Sequence, residues 1–443
     1  MARLVVATIA GSDPSGGAGL QTDLRVFTLL GAFGQTVITA LTVQNSLGVK
    51  GWEAVSPEMV KSQLEALFED LPPRAVKTGM LARAETIHAV AEVLEKHRPI
   101  LVVDPVMVAK GGEPLLESEA VEAYRQRLLP LATVITPNLP EAEVLLGQKL
   151  SSPEEMARSL QALGPRAVVV KGGHAPGEEV RDVLFDGKEF HTFSQPRLEG
   201  RLGHGTGCTF AAALTVLLGK GLPLPEAVGQ AQEFVYLGLL AAKEGPLGRG
   251  ISPLDHLVHL DRLKARAEVP ERLTEAVEYF CQFPVRKLIP EVQSNLGYAL
   301  PLARNAGEVA AFPGRIVALG ERAKPVGCPT FGASRHVANV ILAAMRHDPQ
   351  VRSAMNVRFA EEFLEKAQKK GLSLGEFSRA EEPPEIKARE GSTLSWGVDL
   401  VCRRLGFVPD LVVDRGDVGK EPMIRVLGRD PLEVVKKALK LLD

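Results

Sequence analysis

Residues 4–24 read LVVATIAGSDPSGGAGLQTDL, and this stretch decides the fold of the first part of the chain. Its apolar beginning, 4–9, is rich in β-branched residues and predicts a buried strand. The glycine-rich turn that follows leads into the helical spacing Leu20, Leu24 and Phe27. Glycines let the backbone approach a ligand and place amides at a helix start. The turn is therefore a candidate binding loop, although a purely structural turn explains it equally well.

The same alternation of strand and helix continues along the chain. Further apolar runs predict strands at 36–43, 100–103, 133–136 and 167–170. Between them, segments such as 57–70 and 85–97 have helical spacing. This order predicts an α/β fold with a mainly parallel sheet flanked by helices. Ligands of such sheets bind at the carboxyl ends of the strands, where Gly, Asp and Asn cluster in this sequence.

Length and composition predict more than one domain. The chain has 443 residues, 45% of them hydrophobic and 24% charged, which is typical of globular proteins and enough for two or three cores. A Gly-rich turn and a charged segment near 262–270 separate a slightly acidic first part from a slightly basic second part. We predict a domain at 1–262, a linker at 263–270 and a smaller α/β domain at 271–443. In the second domain we expect helices at 271–281, 334–346 and 358–370, and a strand near 308–319.

Several classes of protein are excluded by the sequence. No run approaches the roughly 18 apolar residues of a membrane helix, and no secretory signal pattern is present, so we expect a soluble, cytoplasmic protein. Four distant cysteines without a C-x-x-C pair argue against a zinc cluster or a disulfide framework. The net charge of −2 and the dispersed basic residues argue against nucleic acid as a partner. No P-loop motif is present, so any ATP is bound in another way.

The strongest local signal is Leu202-Gly203-His204-Gly205-Thr206-Gly207-Cys208-Thr209, which opens a helix of small and apolar residues. The successive amides from Gly205 to Cys208 are suited to hold an anion such as a transferring phosphoryl group. Cys208 lies where a base is useful in that transfer, and the alternative is a small buried residue that packs the helix. The segment therefore predicts an anion hole for phosphoryl transfer.

Five segments of the first part together resemble the hydroxymethylpyrimidine/phosphomethylpyrimidine kinases of the ribokinase-like superfamily. These segments are 10–23, 39–45, 76–81, 104–110 and 204–209. The resemblance implies a ribokinase-like sheet and ATP-dependent phosphorylation of 4-amino-5-hydroxymethyl-2-methylpyrimidine to its monophosphate and then to its diphosphate. A pyridoxal kinase-like domain is the alternative within the superfamily, and the contexts of Gln44 and Cys208 count against it.

The same resemblance implies roles for individual residues. Cys208 is implied as the base, with a pKa lowered by the helix N-terminus. The pyrimidine is expected to contact Gly11, Asp23, Gln44, Met80, Val106 and Met107. The ATP phosphates are expected at an anion hole of Gly205, Thr206 and Gly207, bordered by Lys171 and Asp182. Mg²⁺ is expected at Asn138 and Glu141, for which a capping box at a helix start is the structural alternative.

The second part carries motifs of a different kind. Residues 285–301 mix cations with Asn, Ser and Gly, Arg315 follows an apolar strand, and 331–336 opens a helix. On a helix Arg335 and His336 point about 100° apart, so we expect only one of them to face a site. Residues 391–399 and 414–421 add carboxylates, a lysine and flexible backbone.

Together these motifs resemble the thiamine-phosphate synthase domain that follows the pyrimidine kinase in fused enzymes. The resemblance implies that the pyrimidine diphosphate is joined to thiazole phosphate with release of diphosphate, and that Arg315 and His336 are catalytic. The phosphate groups are expected to contact Ser294, Asn295, Ser334 and Lys420. Asp414 and Asp417 are either Mg²⁺ ligands or turn residues. The partners implied are small molecules and a second copy in a homodimer; a non-catalytic thiamine-phosphate sensor is the alternative for this domain.

Overall fold

The computed structural model describes residues 3–108, 115–117, 119–387, 392–417 and 419–442. Residues 109–110, 391 and 418, which belong to segments singled out above, lie outside the described residues. The chain divides into two compact units, Met1–His259 and Leu260–Asp443. No described helix is both long enough and apolar enough to cross a membrane.

The first unit contains eleven strands within the described residues. They are β1 (Val5–Ser12), β2 (Phe33–Asn45), β3 (Gly48–Ala54), β4 (Ala75–Thr78), β5 (Ile100–Val103), β6 (Val134–Ile135), β7 (Ala167–Val170), β8 (Glu179–Phe185), β9 (Phe190–Pro196), β10 (Leu202–His204) and β11 (Ser252–Pro253). Nine of them form one sheet in the order β3-β2-β1-β4-β5-β6-β7-β8-β9, and β10 pairs with β11. The sheet is parallel from β2 to β7, while β3, β8 and β9 pair antiparallel with their neighbours.

Helices cover both faces of this sheet. They are α1 (Gly19–Leu29), α2 (Pro57–Asp70), α3 (Ala84–His97), α4 (Ala120–Ala123), α5 (Leu139–Leu146), α6 (Pro153–Gln161), α7 (Thr206–Gly219) and α8 (Leu224–Glu244). The central strands alternate between two cores: in β5, Leu101 and Val103 pack on the side of α2 and α3, and Val102 packs on the side of α7. Helix α7 is apolar on nearly all sides because it lies between the sheet and the helices α1 and α8.

The second unit is built around a smaller mixed sheet. Its strands are β12 (Leu296–Ala299), β13 (Val309–Ala311), β14 (Ile316–Leu319), β15 (Arg322–Pro325), β16 (Thr330–Phe331), β17 (Ser353–Arg358), β18 (Leu374–Phe377), β19 (Leu411–Asp414) and β20 (Met423–Gly428). Seven of them form a sheet in the order β16-β13-β12-β17-β20-β19-β18, in which only β18 and β19 are parallel among the described pairs. Strands β14 and β15 form a separate hairpin.

Six helices contribute to the second unit or lead into it. They are α9 (Leu257–Cys281), α10 (Arg335–Met345), α11 (Glu361–Lys369), α12 (Pro384–Lys387), α13 (Ser392–Leu405) and α14 (Pro431–Leu439). One core joins α9, α11 and α14 to one side of the sheet, and a second core joins α10 and α13 to the other side. The unit is therefore a three-layer α/β arrangement, as expected for a second α/β region.

Two boundaries differ from the sequence-based expectations. Residues 263–270, expected as a linker, lie inside α9, because Ala265, Val269 and Leu273 recur at helical spacing and are buried. The strand expected near 308–319 is two strands, β13 and β14, in different sheets. The turn between them bends at Gly314 and Arg315, which both have a positive φ.

Candidate active site

A cavity of about 760 Å³ lies at the carboxyl ends of the parallel strands in the first unit. The loops after β1, β4, β5, β6 and β7 reach it, as does the start of α7. It is the place that the topology of a parallel sheet provides for a ligand. All the residues predicted for the kinase site line it except Asp23: Gly11, Gln44, Met80, Val106, Met107, Asn138, Glu141, Lys171, Asp182, Gly205, Thr206, Gly207 and Cys208.

The start of α7, which was predicted as an anion hole, has a backbone that requires glycine. Gly205 precedes the helix with φ +82°, and a Cβ on it would lie 1.9 Å from the carbonyl oxygen of Gly17. No side chain fits there without a shift of the backbone, and the residues from Gly205 to Cys208 line the cavity, where the amides of a first helical turn can meet an anion. Behind Gly207 lies the Nζ of Lys171, 3.1 Å from where a Cβ would stand. Amides and an ammonium group therefore meet at the helix start, which suits a phosphate.

Another part of the cavity wall is suited to an aromatic ring. Met80, Val106 and Met107 supply apolar surface, and Gly11 leaves room beside the Sδ of Met80, which lies 3.0 Å from where a Cβ would stand. The Gln44 amide on β2 adds a donor and an acceptor at this wall. The cavity therefore combines a wall suited to an aromatic ring with a helix start suited to a phosphate.

Asp23 does not line the cavity, which corrects its predicted contact with the pyrimidine. It lies on the buried side of α1, where its Oδ2 accepts hydrogen bonds from Thr8 Oγ1 at 2.6 Å and from Lys77 Nζ at 2.8 Å. Both charged side chains of this pair are fully buried. Burial opposes the charge on Lys77, but the nearby charges of Asp23 and Asp104 raise its pKa. Asp23 therefore holds Lys77, which does line the cavity.

The Cys208 thiol differs from the expected low-pKa base. Burial raises its pKa to about 11, although the charge of Lys77 acts in the opposite direction. The expectation was wrong because the helix start that should lower the pKa is also removed from water. Near neutral pH the group is a thiol, so it is not a preformed thiolate.

A second buried charge pair, Asp104 with Lys171, lies beside the start of α7. Asp104 Oδ1 accepts from Lys171 Nζ at 2.8 Å and from Thr136 Oγ1 at 3.1 Å. Burial opposes the charge on Lys171, but the charges of Asp104 and Glu141 raise its pKa. Burial, with Asp104 adding to it, raises the pKa of Glu141 to about 7. Asp104 and Glu141 are thus two acidic side chains held near one another beside Lys171.

Asn138 and Glu141 form the capping box that was the structural alternative to metal binding. Glu141 N donates to Asn138 Oδ1 at 2.9 Å, and Asn138 N donates to Glu141 Oε2 at 2.8 Å. The Asn138 side-chain oxygen is therefore already used at the start of α5. Asp182 also has a structural role, because it accepts from Gly172 N and from Gln232 Nε2, both at 2.9 Å.

Asp13 and His204 line the cavity and were not predicted as site residues. His204 Nε2 lies 3.0 Å from Asp13 Oδ2 and 3.3 Å from Gln44 Nε2. Burial opposes ionisation of Asp13, but hydrogen bonds from His204 and Ser15 lower its pKa to about 2. Both residues belong to segments quoted in the sequence analysis. Their contact could not be predicted there, because the two residues are 191 positions apart.

In the second unit, Arg315 and His336 are both exposed side chains. Strands β13 and β16 pair antiparallel, with Ala311 opposite Thr330. Arg315 follows β13 and His336 follows β16. Because the two strands run antiparallel, the chain reaches Arg315 from one end of the strand pair and His336 from the other end. Arg315 also has φ +71°, an uncommon backbone for a residue with a side chain, and its guanidinium donates to the carbonyl of Val292.

The residues expected to bind phosphate in the second unit have mixed placements. Asn295 is committed to the backbone, since its amide bonds both the N–H and the carbonyl of Phe312, at 3.1 and 3.0 Å; this corrects its predicted role. Ser334 caps α10, with Val337 N at 3.5 Å from its oxygen. Ser294 is fully buried with an unpaired Oγ, and Lys420 is exposed.

Asp414 is not available as a metal ligand in this structure. Its buried carboxylate accepts from Arg379 at 2.7 Å and from Arg425 at 3.2 Å. Burial opposes ionisation, but Arg379 and Arg425 lower the pKa of Asp414. Asp417 bonds through its backbone to Lys420. Across the described residues, no group of three or more His, Cys, Asp or Glu side chains is placed to hold a metal ion.

Comparison with known proteins accounts for both units. The phosphomethylpyrimidine kinase family model matches residues 13–255, and the thiamine-phosphate synthase ThiN model matches residues 272–440. The bifunctional thiamine biosynthesis protein ThiDN of Methanocaldococcus jannaschii is 32% identical over 438 residues, which cover 98% of this chain and 97% of the relative. The chain belongs to this bifunctional kinase–synthase family. Its first unit is a kinase domain for hydroxymethylpyrimidine and its phosphate, and its second unit is a thiamine-phosphate synthase domain.

Some relatives match this chain over the kinase unit alone and at higher identity. The hydroxymethylpyrimidine/phosphomethylpyrimidine kinase of Rhizobium meliloti is 47% identical over 256 residues, 57% of this chain and 96% of the relative. The ThiED protein of Geobacter sulfurreducens is 49% identical over 265 residues, and the match covers 59% of this chain and about half, 54%, of that protein. A solved pyridoxal kinase from Staphylococcus aureus in complex with ADP matches with TM-score 0.53 and 37% identity, over 58% of this chain and 94% of that chain. The ribokinase-like fold of the kinase unit is confirmed.

Proposed function

We propose that the kinase unit phosphorylates 4-amino-5-hydroxymethyl-2-methylpyrimidine and then its monophosphate, with ATP, in one cavity. The observation that carries this proposal is that one cavity contains the Gln44 amide, the apolar wall and the start of α7. The ring edge of an aminopyrimidine offers a donor beside an acceptor, which a carboxamide matches. The helix start and Lys171 are suited to the charge on the transferring phosphoryl group.

Cys208 serves this transfer as a thiol that touches the acceptor hydroxyl. With a pKa raised to about 11, it keeps its own proton and orients the acceptor hydroxyl; the hydroxyl oxygen bonds the γ-phosphorus as the bond to ADP breaks, and the hydroxyl proton passes to an oxygen of the transferred phosphoryl group. Positioning and charge neutralisation therefore carry most of the catalysis. Lys77 lies among the charges around Cys208 and stabilises negative charge as the hydroxyl proton leaves. In the second step the acceptor is a phosphate, which needs little deprotonation at neutral pH. Replacement Cys208→Ala is therefore expected to slow the first step more than the second.

The residues of the cavity fit a magnesium ion that arrives with ATP. Mg²⁺ prefers oxygen ligands and keeps several waters. Asp104 and Glu141 are buried carboxylates whose repulsion contributes to the raised pKa of Glu141, and a cation between them and the phosphates would relieve it. The ion neutralises phosphate charge when bound. Asp104 and Glu141 would hold it through Oδ2 and Oε1, the carboxylate oxygens that the bonds from Lys171 and from the capping box do not use, whereas the side-chain oxygen of Asn138 serves the helix start.

We further propose that the synthase unit couples the pyrimidine diphosphate to thiazole phosphate through Arg315 and His336. The positive φ of Arg315 supports this role, because a strained backbone under a side chain is retained where that side chain is needed. Loss of diphosphate builds anionic charge that a guanidinium stabilises, and an imidazole positions or protonates the leaving group. ATP use and four cysteines without disulfides support a cytoplasmic location. The homodimer stays a prediction of the resemblance.

The test uses the intact chain in one tube. Hydroxymethylpyrimidine, ATP and Mg²⁺ are added, products are followed by mass spectrometry, and thiazole phosphate is added once the diphosphate has formed. We expect monophosphate, then diphosphate, then thiamine phosphate. If neither pyrimidine product forms, the kinase proposal is wrong. If the diphosphate accumulates without coupling, the synthase unit acts as a thiamine-phosphate sensor.

Pyridoxal is the second candidate substrate of the kinase unit. Solved Staphylococcus aureus pyridoxal kinases share its fold at 37% identity and a TM-score of 0.53, and one of the related structures contains pyridoxal. Direct competition between pyridoxal and hydroxymethylpyrimidine at limiting ATP decides between them. We expect the pyrimidine to be consumed first, since the Gln44 amide matches its edge.

A further inference from the structure

The Gln44 amide has two polar neighbours that decide which way it faces. Its Nε2 lies 3.3 Å from His204 Nε2, and its Oε1 lies 3.3 Å from Thr42 Oγ1. All three residues line the cavity of the kinase unit. A carboxamide turned by 180° exchanges its oxygen and nitrogen without changing shape, so the hydrogen-bonding state of the neighbours must settle its orientation.

On one side, the Asp13 carboxylate determines the state of His204. Asp13 accepts from Ser15 N at 2.9 Å, from Ser15 Oγ at 2.7 Å and from Ala18 N at 2.8 Å. Three donors of this kind hold the carboxylate ionised, so it can only accept from His204 Nε2 at 3.0 Å. That ring nitrogen therefore carries one proton, which it can share between Asp13 Oδ2 and an acceptor on Gln44, and it has no lone pair for an N–H of Gln44. The Gln44 atom that suits His204 is the oxygen.

On the other side, Thr42 leads to the same orientation independently. Its hydroxyl donates to the carbonyl oxygen of Ser12 at 2.9 Å. A hydroxyl has one proton, so with that proton used Thr42 Oγ1 can only accept a further hydrogen bond. The Gln44 atom that suits Thr42 is the nitrogen, which donates.

The imidazole is also prevented from turning away. His204 is mostly buried, and a Cβ on Gly17 would lie 2.2 Å from its Cδ2. The backbone of Gly17 therefore packs directly against the ring face and edge, and the contact with Asp13 fixes the remaining freedom. Asp13, His204 and Thr42 thus form a rigid frame around one amide.

We propose that Asp13 and His204 are positioning residues that hold the Gln44 amide with its oxygen toward His204 and its nitrogen toward Thr42, and so set the direction of the bound pyrimidine. This inference rests on the proposed kinase function. The amide oxygen has two lone pairs and the amide nitrogen has two N–H groups. One lone pair meets His204 and one N–H meets Thr42. The other lone pair and the other N–H lie side by side and can pair with a ring edge. The oxygen accepts from the 4-amino group and the N–H donates to ring nitrogen N3.

That order directs the reacting group toward the phosphate end of the cavity. In the substrate the 5-hydroxymethyl group is next to the 4-amino group, so it lies on the His204 side of the amide. His204 directly precedes Gly205 and the open amides of α7, and Cys208 follows four residues later. An amide turned the other way would pair with the ring turned over, and the hydroxymethyl group would then lie on the Thr42 side, away from the anion hole.

The test compares two pyrimidines whose edges are opposite. The substrate has an amino donor at C4 and an acceptor at N3, whereas its 4-oxo analogue has an acceptor at C4 and an N3–H donor. Phosphorylation of each by the full chain is measured as kcat/KM with saturating ATP and Mg²⁺. The wild type should prefer the amino compound. In His204→Leu the amide is free to turn, and we expect that preference to fall about tenfold through KM, with a smaller change in kcat.

Two further variants separate positioning from damage. His204→Gln keeps an N–H donor toward Asp13 and should restore most of the preference. Thr42→Val removes the other partner of the amide and should lower the preference in the same direction as His204→Leu. In Gln44→Leu the additional change His204→Leu should have almost no further effect on the preference, since His204 acts through Gln44.

The outcomes distinguish this inference from the proposed function. Equal losses for both pyrimidines in His204→Leu and Thr42→Val, with an unchanged preference, would overturn the inference and assign these residues a purely structural role. A wild type that prefers the 4-oxo compound would show that the amide faces the other way. A wild type that phosphorylates neither pyrimidine would instead overturn the proposed function.

Discussion

The two units place their charged site residues in opposite ways. In the kinase unit, Lys77 and Lys171 are held by buried carboxylates, and their charges meet inside the cavity. In the synthase unit, Arg315, His336 and Lys420 are exposed on turns and at a helix start. Buried charges are preorganised and act strongly, but each depends on its partner for stability. Exposed groups cost the fold little stability and depend on the substrate to exclude water from them. We therefore expect mutations of the buried charges in the kinase unit to lower stability, and mutations of the exposed groups in the synthase unit to lower activity alone.

The buried pair Asp23 and Lys77 offers the largest expected effect on stability. Lys77→Met leaves the Asp23 carboxylate buried without its counter-charge, and we expect the free energy of unfolding to fall by about 3–5 kcal/mol. Lys61→Met is the matched control, because Lys61 pairs with Glu92 at 2.7 Å on the surface and should change stability by less than about 1 kcal/mol. Urea unfolding of the full chain measures both. The double variant Asp23→Leu with Lys77→Met should recover much of the loss, and similar losses in all three variants would contradict the explanation.

Gly205 tests whether the anion hole needs its backbone geometry. A Cβ there would lie 1.9 Å from the carbonyl oxygen of Gly17, so Gly205→Ala must move the first turn of α7. We expect the phosphorylation rate to fall about 100- to 1,000-fold while coupling of supplied pyrimidine diphosphate is unchanged. Gly221→Ala is the control beyond the other end of α7, with φ +89° and no atom within 4 Å. It should cost about 1–2 kcal/mol of stability and leave the rate nearly unchanged; a large rate loss in both variants would point to helix stability instead.

Arg315 tests the opposite relation, in which activity is lost while stability is kept. Arg315→Gly removes the guanidinium and also the strain of φ +71°. We expect coupling of pyrimidine diphosphate with thiazole phosphate to fall about 100-fold, with a thermal midpoint equal to or above that of the wild type. Arg315→Asn, which tolerates the same backbone, should lose coupling equally. Full coupling activity in Arg315→Gly would show that the guanidinium has no role in the reaction. Kinase rates measured in the same samples serve as the internal control.

Many of the residues predicted for the kinase site line one cavity because they lie at or just after the ends of strands. Gln44 lies near the end of β2, and Met80 and Lys171 follow β4 and β7, so the sheet brings all three to one edge. Asp23 was misplaced because its motif shows that it begins a helix but not which side of that helix faces the cavity. The Asp13–His204 contact joins residues 191 positions apart, so no local pattern announces it.

The synthase unit was less predictable in both fold and site. The strand expected near 308–319 was wrong because a positive φ at Gly314 and Arg315 interrupts an otherwise apolar run. Asn295 resembled a phosphate ligand in sequence, yet its amide satisfies the backbone of Phe312. A polar residue next to a strand, as Asn295 is before β12, has the same sequence signature whether it bonds the backbone or binds a ligand. Only the hydrogen-bond partners distinguish the two.

Titration of the buried Glu141 carboxyl gives the smallest expected effect, a dependence of the unfolding free energy on pH. Burial raises its pKa from 4.5 to about 7 in the folded chain, so between these values the folded protein keeps a proton that the unfolded chain has lost. The contribution of this group to stability therefore falls as pH rises from 4.5 to about 7. Glu141→Gln keeps the capping box and removes the titration, so its stability relative to the wild type should rise by about 1–3 kcal/mol across that window in urea unfolding. The exposed residues of the synthase site should give no comparable change, and parallel pH profiles for wild type and Glu141→Gln would show that this carboxyl is ionised in the folded cavity throughout.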